Sequence, residues 1–514
     1  MKPRGRSRWI FGALAAAFAA GCAGGVAAAP GLSLALAPQV GVTLGGCAWC
    51  AQGVCATAVR VGPVAAERLV VGWDRVAVLE GARLDLGGGG AIGAAGGGFD
   101  ARYLPIREVR VADLQVEGAP LELPVLAGTV WPERHLVGDG VTIDDARVQA
   151  TVPTPFGAWT VDVTRDAVGG VVVTAVSEAP RLPSGYLDSR VVSLPRAVVE
   201  GRWDDGRFEG SGQVADVRVG IDAKRLGGAS LRDSEWEVRF ALPATPIASA
   251  YAVFADAVPE ADRARIGGTV AATGTWRHPG GLVEIHPEIL DFTVSDLVGA
   301  DLEYGPFTFR ARDAAGEPIL LRVGEGTETW IPLGEVGELL PAAIIAAEDA
   351  RFRAHPGFDL DGIVSAFADN REAGDVVRGG STLSQQLAKN LFLDGERTYG
   401  RKLRELLYAV NLEQRLGKRR ILELYVNVVE WGPNLRGARR AAEVYFVKRP
   451  AGLLPEEAAF LAGILRNPKT AWRTQYLRDR PASGRVAHVI RNMSGLTPEQ
   501  RGAALARPIR FVPP

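Results

Sequence analysis

Residues 401–416 read RKLRELLYAVNLEQRL. Leu403, Leu406, Leu407 and Val410 recur at spacings of three and four, which places them on one side of an α-helix. The same periodicity predicts helices in ELLPAAIIAAEDARFRAH (338–355), KRRILELYVNVVEW (418–431) and LPEEAAFLAGIL (454–465). The chain after about residue 330 is therefore predicted to be an α-helical domain.

Upstream of residue 330 the dominant pattern is a period of two. In EWEVRFAL (235–242), Trp236, Val238 and Phe240 alternate with charged residues, which is typical of a strand with one buried face. Similar stretches cover 58–313, with one predicted helical interlude near 246–264. We find no catalytic or metal-binding pattern there and interpret the region as a β-rich scaffold or interaction module. Its layout weakly resembles AsmA-like envelope proteins, whose curved sheets hold lipid acyl chains.

Length and charge limit the classes of function. A chain of 514 residues with 47% hydrophobic and 23% charged residues predicts two or three domains with substantial cores. The net charge of −1 argues against a global nucleic-acid binder. Residues 351–450 contain 18 Lys or Arg and 12 Asp or Glu, a surplus of +6 that leaves −7 for the remainder. This segment offers a basic surface to an anion.

The N-terminus carries a targeting signal. Four cations, ending at Arg8, precede the uncharged stretch WIFGALAAAFAAGCAGGVAAA (9–29), about long enough to cross ~30 Å of hydrocarbon as a helix. We favour an uncleaved anchor over a signal peptide cut after Ala29 or a lipoprotein signal ending at Cys22. All three export the rest of the chain, and basic residues keep the first end cytoplasmic.

The remaining cysteines cluster in CAWCAQGVC, as Cys47, Cys50 and Cys55. In an oxidising compartment, one local disulfide with a spare thiol is the favoured interpretation. A metal site would need a fourth ligand, and the nearest histidine, His135, is far along the chain. We therefore assign no metal-ligating residues.

Three polar clusters in the helical half carry the chemistry. Glu348 and Asp349 follow the apolar run PAAIIAA, where desolvation raises the pKa of a carboxyl group and suits it to proton transfer. The stretch RGGSTLSQQLAKN (378–390) is dense in hydroxyls and amides. GERTYGRKLRE (395–405) then adds four cations, which makes five from Lys389 to Arg404, and it places a single carboxylate, Glu405, beside them. Such cations suit a phosphate or pyrophosphate.

These clusters predict one reaction type, substitution at a sugar carbon that bears a phosphate leaving group. One glutamate takes a proton from the incoming hydroxyl, and the cations stabilise the departing pyrophosphate. A positioned general base contributes about 10²–10⁴-fold. Preorganised charge at the leaving group is commonly the larger contribution.

The motifs EDARFRAHPGFD, GGSTLSQQLAKNLF, RKLRE, KRRILELYVN and LPEEAAFLAGILRNP occur in this order. They resemble the five motifs of glycosyltransferase family 51, the peptidoglycan glycosyltransferases, over about 325–475. WIPL (330–333) and NVVEWGP (427–433) are more similar to the monofunctional transglycosylases than to the bifunctional penicillin-binding proteins. No convincing Ser-x-x-Lys and Lys-Thr-Gly pair marks a transpeptidase domain.

The resemblance implies a multi-domain chain, β then α, ending in a lysozyme-like α-helical domain. The chain would be single-pass in the bacterial cytoplasmic (inner) membrane, with the catalytic domain on the periplasmic side. The predicted segments are a signal anchor (1–29), a Cys-containing linker (30–57), a β-rich domain (58–324), the catalytic domain (325–476) and a C-terminal tail (477–514).

The implied activity is polymerisation of lipid II into β-1,4-linked glycan, with inversion and release of undecaprenyl pyrophosphate. Glu348 would be the base and Glu405 would assist at the donor side. The expected substrate-binding residues are Lys389, Arg397, Arg401, Lys402, Arg404, Ser381, Thr382, Gln385, Gln386, Asn390, Asp349, Phe352 and His355. No organic cofactor is implied, and a divalent cation (Mg²⁺ or Mn²⁺) at the pyrophosphate is left open. The implied partners are lipid II, the glycan strand, the membrane and, through the β-rich domain, other envelope proteins, with no nucleic acid.

One segment departs from the family pattern. NLRGARRAAEVYF (434–446) carries Arg436, Arg439 and Arg440, which puts the acceptor side and processivity in question. Two alternatives stay open: a lytic transglycosylase or muramidase that degrades glycan, and a non-catalytic envelope protein that binds lipid. The ligand of the β-rich domain and the oligomeric state are not determined by the sequence.

Overall fold

The computed structural model describes residues 42–512, except 44–46, 51–52, 62–63, 73–75, 86–107, 118–125, 132–134, 145–146, 167–169, 205, 228–234, 366–379 and 394–397. The predicted anchor at 1–29 therefore lies outside the described residues. Within the part of the chain that is described, no helix is both long and apolar enough to cross a membrane. Cys55, in the third strand, is disulfide-bonded.

Residues 42–295 form the β module, which is built around one 19-stranded sheet. Its strands pair mostly with their sequence neighbours in antiparallel fashion, and β5 and β6 (ranges below) pair in parallel with β7. The strands are β1 Val42–Thr43, β2 Cys47–Cys50, β3 Gly53–Val61, β4 Val64–Gly72, β5 Val76–Glu80, β6 Ala82–Asp85, β7 Glu108–Glu117, β8 Leu126–Trp131, β9 His135–Gly138, β10 Val141–Asp144, β11 Arg147–Thr154, β12 Gly157–Arg165, β13 Val171–Ser177, β14 Arg181–Leu182, β15 Val192–Ser193, β16 Ala197–Asp204, β17 Arg207–Val214, β18 Val217–Gly227, β19 Glu235–Pro246, β20 Arg265–His278 and β21 Gly281–Ser295.

The predicted alternation is confirmed. In β19, Trp236, Val238, Phe240 and Leu242 are each more buried than Glu235, Arg239 and Ala241. Glu237 departs from the pattern, because its side chain is only 14% exposed between Arg239 and Arg277. The predicted helical interlude is present but shorter, as α1 (Ile247–Ala252) and a 3₁₀ segment, Pro259–Asp262. The separate pair β14–β15 leaves the main sheet between β13 and β16.

The second part of the chain, residues 307–512, is the helical domain. It begins with a hairpin and continues through helices around a core that the hairpin also joins. The elements are β22 Phe307–Arg312, β23 Pro318–Val323, α2 Leu333–Val336, α3 Leu339–Glu348, helical residues 360–365, α4 Leu383–Phe392, α5 Tyr399–Val428, β24 Glu430–Gly432, β25 Leu435–Arg436, α6 Ala438–Phe446, α7 Pro455–Ile464, α8 Pro468–Ala471, α9 Ser483–Asn492 and α10 Pro498–Ala506.

Helix α5 joins two stretches that the sequence predicts to be helical. Gly417 interrupts it with φ 68° and ψ 167°, a conformation that a residue with a Cβ rarely adopts. The part before Gly417 contacts the β module, while the part after it runs through the core of the helical domain, where Ile421, Leu424 and Tyr425 are fully buried.

The apolar stripe of residues 401–416 faces the β module. Leu407 and Val410 are buried in a cluster with residues of the sheet and of α1, and Leu403 and Leu406 pack on its edge. The partners from the β module are Val192, Ile247, Tyr251, Ala257, Val258, Phe292 and Val294. Burying a side chain of this size contributes about 1.5–3 kcal/mol, so this surface stabilises the contact between the two parts of the chain.

Candidate active site

Glu348 is the last residue of α3, a helix whose inner side is formed by the fully buried Leu340, Ala343 and Ile344. Its side chain is only 10% exposed. Burial raises the pKa of the Glu348 carboxyl above its ordinary value, and a hydrogen bond from Gln386 and the charges of Arg485 and Arg466 oppose that rise. The desolvation predicted from the run PAAIIAA is therefore present.

Two buried side chains fix the orientation of this carboxylate. The Tyr425 hydroxyl donates to Gln386 Oε1 at 2.9 Å, and Gln386 Nε2 donates to Glu348 Oε2 at 3.1 Å. Tyr425 is fully buried on α5, so it holds the amide of Gln386 in one orientation. Each carboxylate oxygen has two acceptor positions, so Glu348 retains capacity for a substrate proton.

Arg485 is a residue of this site that sequence reasoning missed. It lies on α9 and donates through Nη2 to the Ala347 carbonyl at 2.8 Å and to Glu348 Oε1 at 3.3 Å. It belongs to the segment assigned as a C-terminal tail, in which α9 and α10 in fact pack on the helical domain, with Val486, Val489 and Ala504 in the core. No spacing signal connects residues 137 positions apart.

The polar side chains of residues 380–390 have two different roles: some cap the start of α4, and Gln386 contacts Glu348. Thr382 caps α4: its hydroxyl accepts from Gln385 N, and Gln385 Oε1 accepts from Thr382 N at 2.9 Å. The Thr382 hydroxyl also donates to the Gly357 carbonyl at 2.6 Å. Both residues are buried, so the expectation that they line the cleft is not met. The pattern Thr-x-x-Gln is a capping-box signal that the sequence analysis did not use.

Asp349, Phe352 and His355 were also expected to bind substrate, and their placement does not fit that role. Asp349 Oδ2 accepts from Leu383 N at 2.8 Å and contacts His355 Nε2 at 3.0 Å. Gly357 N donates to His355 Nδ1 at 3.2 Å, so the ring proton belongs on Nε2, facing Asp349. Phe352 is 1% exposed. Asp349 and His355 fasten the loop after α3 to the start of α4, and Phe352 packs in the core of the helical domain.

Lys389 places a positive charge on α4, close to Gln386. It lies three residues after Gln386, on the same side of α4, and its side chain is exposed. Among the residues that the structure describes, its ammonium has no hydrogen-bond or ion-pair partner. Desolvation by neighbouring atoms lowers the pKa of Lys389, and the charge of Glu405 opposes this. Asn390 follows it on α4, partly exposed.

Glu405 organises the cations at the start of α5. It is 1% exposed and accepts from Arg401 Nη1 and from Lys402 Nζ, the latter at 2.6 Å. Lys402 Nζ also donates to Ser381 Oγ at 2.7 Å, which connects α5 to the residue before the α4 cap. Because Glu405 is shielded from water and paired with two cations, its placement fits a residue that positions Arg401 and Lys402. Arg397 lies outside the described residues.

Arg404 was expected to bind the donor pyrophosphate, and it instead faces the β module. Its Nε and Nη2 contact Glu260 at distances between 2.6 and 2.9 Å. Glu260 lies in the 3₁₀ segment and its side chain is 3% exposed. Within the described residues, the cations of this set whose charges act on Lys389 are therefore Arg401 and Lys402.

The three unexpected arginines have different surroundings. Arg436 contacts the carbonyls of Val428 and Arg312 at 3.4 and 3.3 Å, and so joins β25 to the β22 hairpin. Arg439 and Arg440 are exposed at the start of α6, where Arg440 pairs with Glu443 at 2.7 Å. Their effect on processivity stays an open expectation.

The described residues contain no group of three or more His, Cys, Asp or Glu side chains that could hold a metal ion. The carboxylate nearest the cations, Glu405, is already bonded to two of them. The donor set between α4 and α5 therefore fits an anion directly, and the divalent cation left open above stays a prediction.

The helical domain is similar in sequence to known proteins. Residues 317–494 match the family model described as Transglycosylase. A biosynthetic peptidoglycan transglycosylase of Thiobacillus denitrificans is 43% identical over 167 residues, 32% of this chain and 71% of that protein. Proteins of the same name from Chromobacterium violaceum and Acinetobacter baumannii are 50% and 44% identical, over 61% and 72% of their lengths and 27% and 32% of this chain.

Part of this chain also resembles solved structures. Penicillin-binding protein 1A from Haemophilus influenzae is 21% identical, with a TM-score of 0.22, covering 41% of this chain and 22% of that chain. The match to the family model includes α9 with Arg485, and it begins at the hairpin, before the predicted domain start at residue 325.

Proposed function

The chain belongs to the transglycosylase family, and we propose that it polymerises lipid II into β-1,4-linked glycan strands with release of undecaprenyl pyrophosphate. The observation that carries the proposal is the arrangement around α4. Glu348, a buried carboxylate with a raised pKa, accepts a hydrogen bond from Gln386. Lys389 lies one helical turn further along α4, has no partner among the described residues, and is subject to the charges of Arg401 and Lys402.

In the proposed step, Glu348 takes the proton of the acceptor's C4 hydroxyl. The freed oxygen attacks C1 of the donor sugar, the bond from C1 to the pyrophosphate oxygen breaks, and its electron pair leaves with the pyrophosphate. Attack from the side opposite the leaving group inverts the α-linkage to β. Base catalysis contributes about 10²–10⁴-fold, and the rest depends on positioning and on charge at the leaving group.

The electrostatics of Glu348 suit a base. Desolvation raises the pKa of its carboxyl, which increases its affinity for the hydroxyl proton, while Arg485 and Gln386 favour the ionised form. A raised pKa with hydrogen-bond donors to the carboxylate suits a group that must accept a proton during the reaction. No side chain of the described residues besides Gln386 and Arg485 is hydrogen-bonded to this carboxylate.

The cations distinguish polymerisation from glycan cleavage. A lytic enzyme also needs an acid or base, but its substrate carries no pyrophosphate. An exposed Lys389 that has no partner in the described part of the chain, near Arg401 and Lys402 held by Glu405, suits a diphosphate leaving group. We place the reaction at the periplasmic face of the inner membrane, where a lipid-linked donor lies, and keep the single-pass anchor at 1–29 as part of this proposal.

The test supplies the full chain with lipid II and, in a separate reaction, with intact glycan. We expect polymer from lipid II and no shortening of the glycan, both resolved by gel electrophoresis of labelled chains. Shortened glycan without polymer from lipid II would replace the proposal with a lytic function. Neither product, from folded protein, would favour a non-catalytic envelope role.

A further inference from the structure

We propose that the β module positions the cations that bind the donor. Glu260 and its neighbours contact α5, which carries Arg401 and Lys402, and through Tyr408 of α5 they reach the last turn of α4, which carries Lys389. Glu260 is then a positioning residue for glycan transfer, located in a part of the chain outside the region that matches the transglycosylase family. The inference rests on the proposed function, because it assigns the β module a part in binding the pyrophosphate.

The first contact holds the N-terminal turns of α5. Gly400 N donates to the Leu187 carbonyl at 2.7 Å, and the Tyr251 hydroxyl donates to the Leu403 carbonyl at 3.1 Å. A Cβ at position 400 would lie 3.3 Å from the Leu187 carbonyl oxygen, so glycine allows the two backbones to approach this closely. Arg401 and Lys402 lie between these two attachment points.

The second contact is the pair of Glu260 and Arg404. Three donor–acceptor distances of 2.6–2.9 Å join the guanidinium to the carboxylate, in a site where Glu260 is almost completely shielded from water. Charged, two-pronged hydrogen bonds of this kind fix relative orientation as well as distance. Arg404 precedes Glu405, the residue that holds Arg401 and Lys402.

The third contact reaches α4. Tyr408, one turn beyond Arg404, stacks on Phe392 with ring centroids 4.3 Å apart and an interplanar angle of 13°. Glu260 and Arg263 of the β module lie near its hydroxyl: burial and the charge of Glu260 raise the pKa of Tyr408, and the charge of Arg263 opposes that rise. Phe392 is the last residue of α4, and Lys389 lies one turn before it. The β module therefore contacts the last turn of one cation-bearing helix through a residue of the other.

These contacts have a common consequence. In this proposal the pyrophosphate contacts Lys389 of α4 and, at the same time, Arg401 and Lys402 of α5. Its affinity therefore depends on the distance between the two helices. A displacement of about 1 Å can cost about 100-fold in rate. Releasing Glu260 should therefore weaken pyrophosphate binding while leaving the proton-accepting Glu348, on the other side of Gln386, unaffected.

The test uses the full chain with Glu260→Gln, which keeps the shape and removes the charge. We expect about a fivefold or larger increase in the dissociation constant for inorganic pyrophosphate, measured by calorimetry, and a matching increase in KM for lipid II. The acid limb of the pH–rate profile should stay where it is. Glu237→Gln is the matched control. Like Glu260, Glu237 is a glutamate of the β module that is paired with arginine, but its partners Arg277 and Arg239 lie on the sheet.

Arg404 provides the second set of variants. Arg404→Met should give the same increase, and the double variant Glu260→Gln with Arg404→Met should be no worse than either, because both act through one contact. Arg404→Lys, which keeps the charge and loses the fork, should fold and give a smaller increase.

Three results would overturn the inference: unchanged pyrophosphate binding in folded Glu260→Gln, an equal effect of Glu237→Gln, or an effect of Arg404→Met that Glu260→Gln does not share. The last would mean that Arg404 contacts the substrate itself. The proposed function fails separately, if the parent chain makes no polymer from lipid II.

Discussion

Replacing Arg485 with methionine tests how the protonation of Glu348 is controlled. The Nη2 group of Arg485 lies 3.3 Å from Glu348 Oε1, and its charge lowers the pKa of that carboxyl against the effect of burial. Methionine keeps the apolar stem beside Gly463, ends short of Glu348, and removes the charge and both hydrogen bonds. The pKa of Glu348 should then rise further, so the base is protonated up to a higher pH.

The size of the effect follows from the lost interaction. A hydrogen bond to a charged group is worth about 1.5–3 kcal/mol, and Arg485 is 34% exposed, so solvent screening places the contribution near or below the lower end. About 0.7–1.4 kcal/mol corresponds to a three- to tenfold change in the protonation equilibrium. On the acid side of the profile, kcat/KM should fall about three- to tenfold, and at alkaline pH it should approach that of the parent.

The assay is lipid II polymerisation by the full chain over a range of pH, in buffers of constant ionic strength. Arg491→Met, an exposed position on the same helix, is the matched control and should leave the profile unchanged. If Arg485→Met lowers kcat/KM by one factor at every pH, Arg485 acts on the substrate and the reasoning about Glu348 is refuted. An unchanged acid limb would refute it as well.

Three further outcomes are expected. Lys389→Met should lower kcat/KM about 100-fold in steady-state polymerisation, because a positive charge at the leaving group is lost. A decrease of less than threefold would exclude this role for Lys389. Tyr425→Phe should lower kcat several-fold at nearly constant KM, because Gln386 is no longer held in one orientation, and an effect confined to KM would contradict that. Thr382→Ala should lower the free energy of unfolding by about 2 kcal/mol, from the lost cap and the buried hydroxyl; Thr497→Ala, at an exposed cap, should cost less in the same denaturation experiment.

Local patterns in the sequence predicted a large part of this structure. Alternation in β19 and the helical spacing in 401–416 identified the two kinds of secondary structure, because each period reflects which side of an element is buried. The apolar run before Glu348 predicted its desolvation. Its position at the end of α3, beside Gln386, is what makes that carboxylate accessible to a second reactant.

Long-range contacts were outside the reach of these patterns. Nothing in the spacing of Arg404 indicates that it pairs with Glu260, 144 residues earlier, in preference to a ligand. Arg485 is likewise separated from Glu348 by 137 positions. The polar run illustrates a third difficulty. Thr382 and Gln386 are both polar, but the helix turns one inward as a cap and the other toward the catalytic carboxylate.

The central claim is that Glu348 is the base in glycan polymerisation, and Glu348→Gln tests it most directly. The hydrogen bonds can adapt to this replacement. If the Gln386 side-chain amide flips, its oxygen accepts from the new amide at position 348 and its nitrogen donates to the Tyr425 hydroxyl. Single-turnover polymerisation of lipid II by the folded variant should be about 10²–10⁴-fold slower than by the parent, with pyrophosphate binding unchanged. Polymerisation at the parental rate would show that another group takes the proton.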